Sequence, residues 1–292
     1  MDVTLQSPQL CVTISTRGGE LQSLLHADGT EYLWQGSQAY WPGKAIHLFP
    51  FIGRLTDDRY TLRGQEHSMN IHGFLCRTEM KVLESNPTAC LLRLCDTPET
   101  RTVYPCPFEF LLGYRLEGCC LAVTFTVNNP GAETLFFGIG GHPGFNVPLE
   151  QGLAFEDYSL RFSAPCAPLR VGFTDACYLS GQNEAYPLQN GQNLPLQHSL
   201  FNRDALILTQ TDTTVTLESD KGKKAVRVHF PDMPYIGFWH SPNTLAPFVC
   251  IEPWASLPAR QDVIEEFSQK KDLVALPAGE SYVNRWSIEC LG

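Results

Sequence analysis

The chain has 292 residues, 43% of them hydrophobic and 18% charged, with a formal net charge of −10. That balance is enough for a sizeable core and excludes an intrinsically disordered chain. The acidic surplus opposes a phosphate-backbone partner, and no apolar run reaches membrane-spanning length, so neither a nucleic-acid nor a membrane partner is expected.

The opening MDVTLQSPQLCVTIS lacks the basic segment and apolar core of a secretory leader. β-rich or alternating runs then follow: 11–15, 31–34, 81–84, 90–94, 113–118, 120–127, 134–140, 157–162, 204–210, 214–219, 224–230, 235–240 and 248–254. Turn signals separate them, among them Asp28-Gly29, Asn129-Pro130-Gly131 and Ser241-Pro242-Asn243. Many short strands at this spacing predict an all-β sandwich, here a single domain over residues 1–292, and not alternating β-α units. A short helix is expected over 262–270 with Asp262 as its N-cap. Segment 181–200, rich in Asn, Gln and Pro, reads as a long surface excursion. The eleven cysteines include no C-x-x-C pair and read as reduced, small core residues of a cytoplasmic protein. Cys119 and Cys120 fall in a strand-like run and should point to opposite faces.

Three stretches carry candidate chemistry. In HLFPFIGRL and the following DDRYTLRGQEHSMNIHGF, Arg54 is joined to His72 through two turns and two strands. A guanidinium beside an apolar run holds an anion, a carbonyl cluster or a carboxylate; Asp57 and Asp58 are the nearest candidates for an ion pair. In GGHPGFN (140–146), glycine and proline stiffen a turn at a strand end, with His142 at its centre. In FVCIEPW (248–254), alternation puts Phe248, Cys250 and Glu252 on one face. Glu252 therefore either lines a wet cleft or sits at the rim, with Pro253 ending the strand. Trp41 and Trp239 suit either a core or a sugar-stacking wall. His47, His72, His142 and Glu252 form an inventory that a metal site uses, but no H-x-H or H-x-x-x-H spacing supports one.

Taken in order, Gly53-Arg54-Leu55, Asn70, His72-Gly73, His142 beside Phe145-Asn146, and Glu252 resemble the aldose 1-epimerase (galactose mutarotase-like) family. The forms LFPFIGR, GGHPGFN and FNRDALIL are similar to its LacX-like branch. The resemblance implies a β-supersandwich that interconverts the α and β anomers of an aldose or aldose phosphate without cofactor or metal. It implies Glu252 as general base and His142 as general acid. It implies Arg54, His72, Asp204 and Trp239 as substrate-binding residues. A carbohydrate-binding or sensing protein on the same fold is the alternative, with a small sugar as ligand in either case. As acid, His142 would need a raised pKa, which a nearby carboxylate could supply.

Overall fold

The computed structural model describes residues 1–292. Two large antiparallel sheets form the body. One has nine strands, ordered 193–195, 159–162, 214–218, 225–229, 281–291, 120–128, 109–117, 89–95 and 81–86. The other has seven, ordered 184–185, 169–170, 206–209, 235–239, 248–254, 140–146 and 45–48. The inner faces of both supply one cluster of 65 buried residues running from Val3 to Cys290. Strict alternation in Cys120–Asn128 (Leu121, Val123, Phe125 and Val127 inward) shows why such sequences form half-buried strands.

The seven-stranded sheet carries buried apolar residues on both faces. Phe145, Val249, Ile251, Ile236 and Phe238 enter the large core. On the opposite face Phe248 and Cys250 join Trp34 in a second cluster, and Trp254 joins Leu48 and Ile52 in a third. Strand Phe248–Trp254 is buried along its whole length, so Pro253 does not end it.

Several expectations are corrected. GGHPGFN is no turn: Gly140–Asn146 is a strand paired on both sides. Its glycines keep negative or extended φ, so they are not there for left-handed backbone. They are bare because indoles press on them. A Cβ on Gly141 would lie 2.6 Å from Trp286, one on Gly140 2.8 Å from Trp254, and one on Gly144 3.2 Å from Trp41.

The helix expected over 262–270 is absent. Asp262 has φ 59°, and Glu265–Glu266 pair in parallel with Tyr60–Thr61. Tertiary packing overrides the local pattern, since Phe267 stacks on Tyr60 at 3.9 Å and on Phe51 at 5.3 Å. The α-helix that does form, Pro98–Val103, is capped reciprocally by Thr97 and Thr100. Run 31–34 makes only isolated bridges, and 134–140 yields strand at Leu135–Phe137 and again only from Gly140. Segment 181–200 is not all loop: Asn193–Pro195 is the edge strand of the nine-stranded sheet. All eleven cysteines are unbonded, and Cys90, Cys106, Cys250 and Cys290 are buried. No helix is long and apolar enough to cross a membrane.

His47 faces the inter-sheet core, where it bonds the Tyr114 hydroxyl at 2.5 Å, away from the other histidines of the supposed metal inventory. Burial pushes its pKa down to about 3. Its folded pKa is therefore depressed below the unfolded value, and stability is full above about pH 6.5 and falls as the pH drops toward 3. His47 alone removes on the order of 1 kcal/mol per pH unit in that window. Urea midpoints in wild-type and His47→Gln protein check this: the variant should show a flatter decline between pH 6 and 4.

Candidate active site

One cleft of about 340 Å³ opens on the outer face of the seven-stranded sheet, lined by all six sequence-predicted residues: Arg54, His72, His142, Asp204, Trp239 and Glu252. Sheet register explains the floor. Gly140 pairs with Trp254 and Gly144 with Cys250, which sets His142 directly across from Glu252. His142 Nε2 and Glu252 Oε2 are 3.2 Å apart. On its other side Glu252 pairs with Gly237, where a Cβ would lie 2.9 Å from Ile207 Cδ1 and 3.3 Å from Glu252 Cβ.

Burial dominates the electrostatics of this pair. Both residues are nearly inaccessible, at 6% and 1% exposure. Desolvation drives the Glu252 carboxyl well above its usual range, with the Asp204 charge adding to the rise. Desolvation also drives His142 down to about 4, against a smaller opposing pull from Asp204 among others. The raised imidazole pKa required of a proton donor is therefore not found, although the carboxyl is adjacent. Burial thus opposes charge on both partners and disfavours the ionised Glu252–His142 pair. Glu252 Oε1 and Oε2 and His142 Nδ1 are buried without a well-formed hydrogen bond. Orphaned polar atoms on a cleft floor call for a polar ligand.

The walls come from other elements. Trp41 lies over His142 with ring centroids 4.7 Å apart, and Trp239 meets the same ring edge-on at 5.6 Å. His72 follows the 65–68 strand with φ 64°. Its backbone N–H donates to Gly53 O at 3.0 Å, and its Nδ1 accepts from Gly53 N at 3.2 Å. The accepting Nδ1 leaves Nε2 as the ring donor. Desolvation lowers the His72 pKa well below its ordinary value, with His142, Arg77 and Arg54 pushing the same way. Gly73 is required here, since φ is 72° and a Cβ would lie 2.2 Å from Phe49 O. Arg54 does not pair with Asp57, which binds Arg59 at 2.9 Å instead.

His142, Cys250 and Glu252 bring three donor atoms within 4.8 Å of one another. Burial raises the Cys250 thiol, and the Glu252 carboxyl, far above their ordinary values. A metal would have to displace both protons, so the trio fits an ion poorly.

Sequence reasoning did not place Phe173, Cys177 and Arg203 at the cleft. Arg203 had one available signal: it adjoins Asp204. Cys177 had none.

The aldose 1-epimerase family profile matches residues 1–289. Protein LacX of Lactococcus lactis is 36% identical over 265 residues, covering 88% of each chain. A galactose mutarotase related enzyme from Lactobacillus acidophilus superposes with a TM-score of 0.95 at 33% identity, covering 99% of this chain and 97% of that one. A galactose mutarotase-like protein from Lactobacillus casei superposes with a TM-score of 0.93 at 29% identity, covering 99% and 100%. The all-β sandwich is thus the galactose mutarotase-like fold, and the chain belongs to the aldose 1-epimerase family.

Proposed function

We propose that this chain is a mutarotase, interconverting the α and β anomers of an aldose by general acid/base catalysis. The observation that carries the reading is the His142–Glu252 contact at 3.2 Å on a buried cleft floor. Mutarotation needs one proton acceptor and one donor acting on the same hemiacetal. The acceptor takes the C1 hydroxyl proton while the donor protonates the ring oxygen. The C1–ring oxygen bond breaks, leaving an open-chain aldehyde. Rotation about C1–C2 presents the other carbonyl face, and the reverse proton movements close the ring. No electrons leave the sugar, and the pair ends with the single proton it began with.

Glu252 acts as base and His142 as acid. Substrate hydroxyls that hydrogen-bond to Glu252 favour its ionised form, which opposes desolvation and lets the proton pass from Oε2 to Nε2. His72 and Arg54 donate to sugar oxygens, Asp204 accepts from a hydroxyl, and Trp239 and Trp41 wall the ring. The site draws on residues from Trp41 to Pro258, so the chain works as one unit.

The test is magnetisation-exchange NMR of hexose anomers with wild-type protein. Exchange accelerated in proportion to enzyme concentration is expected for at least one aldose. Sugar binding without faster exchange would overturn the catalytic reading and leave a binding protein.

A further inference from the structure

Two histidines behind the cleft join two of its walls. Strand Tyr235–Trp239 ends on the cleft residue Trp239, and the next residue, His240, is fully buried. The turn His198–Phe201 leads directly to Arg203 and Asp204, which line the same cleft. His198 Nδ1 and His240 Nε2 are 3.0 Å apart. His240 Nδ1 lies 2.9 Å from the Ser241 carbonyl oxygen, which can only accept. His240 therefore donates from Nδ1, its Nε2 is left as an acceptor, and His198 donates to it from Nδ1. This leaves His198 Nε2 bare, 3.9 Å from Glu156 Oε1. Burial keeps His240 neutral by lowering its pKa to about 4, and it lowers His198 too, against an opposing pull from Glu156. Phe155 stacks on His198 at 4.0 Å, and Phe201 lies against His240 at 4.4 Å. A phenylalanine would fill this aromatic nest without the cost of burying a polar ring. The two bonded nitrogens of His240 instead give the nest a direction.

We propose that His198 and His240 are positioning residues, whose hydrogen bond ties the end of the Trp239 strand to the turn that presents Asp204. The proposal rests on the mutarotase reading, in which Trp239 walls the sugar and Asp204 accepts from one of its hydroxyls. Trp239 is held by its pairing with Cys250, but Asp204 lies outside any strand, two residues before Leu206–Thr209. Its φ is 73°, a left-handed backbone that residues other than glycine seldom adopt. Its N–H donates to Phe201 O at 3.1 Å, so Asp204 moves with the turn. That turn is anchored on His240 twice, through the His198 hydrogen bond and through the Phe201 ring. Neither histidine lines the cleft, so both act through Trp239 and Asp204.

The experiment measures anomer exchange in four variants, with the aldose that wild-type protein accelerates most. His198→Phe and His240→Phe keep an aromatic ring in the nest but remove the hydrogen bond. His198→Asn keeps a donor in place of Nδ1, and His240→Gln keeps an acceptor in place of Nε2. Both Phe variants should raise KM by about tenfold, the equivalent of one buried hydrogen bond, with kcat nearly unchanged. The Asn and Gln variants should recover most of that loss. His198 is only half-buried, so its two variants decide the matter even where those at His240 fail to fold. Nitrogen NMR of the wild-type protein at neutral pH should place the proton on Nδ1 of both rings, and a proton on Nε2 of His240 would overturn the proposal. Equal KM in wild type and His198→Phe, or equal losses in His198→Phe and His198→Asn, would also overturn it and leave the mutarotase reading intact. If no aldose is accelerated, the mutarotase reading falls, and calorimetry with glucose and galactose decides the tie. Weaker binding by His198→Phe than by His198→Asn retains it; equal or absent binding overturns it.

Discussion

Glu252→Gln is expected to lower kcat/KM for anomer exchange by about 10²–10⁴, the usual contribution of one positioned acid–base group. The amide matches the carboxyl in shape but neither accepts nor returns a proton at any working pH. Sugar affinity should change far less, because Arg54, His72 and the tryptophan walls stay in place. Folding stability should hold or rise. A carboxyl at 1% exposure, with both oxygens lacking a well-formed hydrogen bond, costs stability that an uncharged amide avoids in part. Loss of activity together with an unchanged or higher thermal midpoint separates lost chemistry from misfolding. His142→Asn should fall by a similar factor, and the double variant little further, since the two residues handle one proton between them.

The same pair fixes the expected pH profile of the free enzyme. The pKa of His142 is depressed to about 4, so the pair gains a second proton only near and below that pH. Activity should therefore rise with pH through about 4, not through the ordinary histidine value of about 6.5. Burial raises Glu252, so the pair loses its only proton above the normal carboxylate range, and the alkaline limb falls there. An acid limb near 6.5 in the kcat/KM profile would show that a charged imidazole is not suppressed by burial.

How much of this was legible in the sequence depended on whether the signal was local. Residues 120–128 alternate cleanly and declare themselves as a strand. Ser281–Leu291, the longest strand, hides its period because Asn284 occupies an inward position, fully buried and bonded to Asp232 O. The 262–270 run carries helical spacing, but Phe267 gains more from stacking on Tyr60 and Phe51 than a helix would provide. The candidate site was readable as an ordered set of residues and unreadable as geometry. Nothing local to GGHPGFN or FVCIEPW states that His142 and Glu252 face one another, because that follows from sheet register. The contact of His198 with His240 is likewise a fact of three-dimensional neighbours.

Gly141→Ala is expected to destabilise the protein by about 1–3 kcal/mol, the usual cost of forcing a methyl into a filled core. The cost comes from the opposite sheet. Gly141 turns to the inter-sheet core while His142 turns to the cleft, and the Trp286 ring from strand Ser281–Leu291 covers the bare Cα. A Cβ there would sit 2.6 Å from Cζ2 and 3.0 Å from Cη2 of that indole. Trp286 is 2% exposed and packs among His47 and Phe125, so it has little room to retreat. Backbone strain is not the cause, because φ at Gly141 is not positive. Trimming the indole should therefore relieve the clash. In a double-mutant cycle, Trp286→Phe alone destabilises by creating a void, but Gly141→Ala should cost much less in that background. A coupling of about 1 kcal/mol or more in urea unfolding is expected from a direct contact of this kind. Strictly additive losses would mean that the glycine serves some purpose other than admitting the indole. The cycle also reports on the site. His142 is held between Gly141, pinned by Trp286, and Pro143, so Gly141→Ala should lower kcat in folded protein as well. Trp286→Phe should restore part of that activity along with the stability. Recovery of stability without recovery of rate would place the aim of His142 under some other control than the packing beneath it.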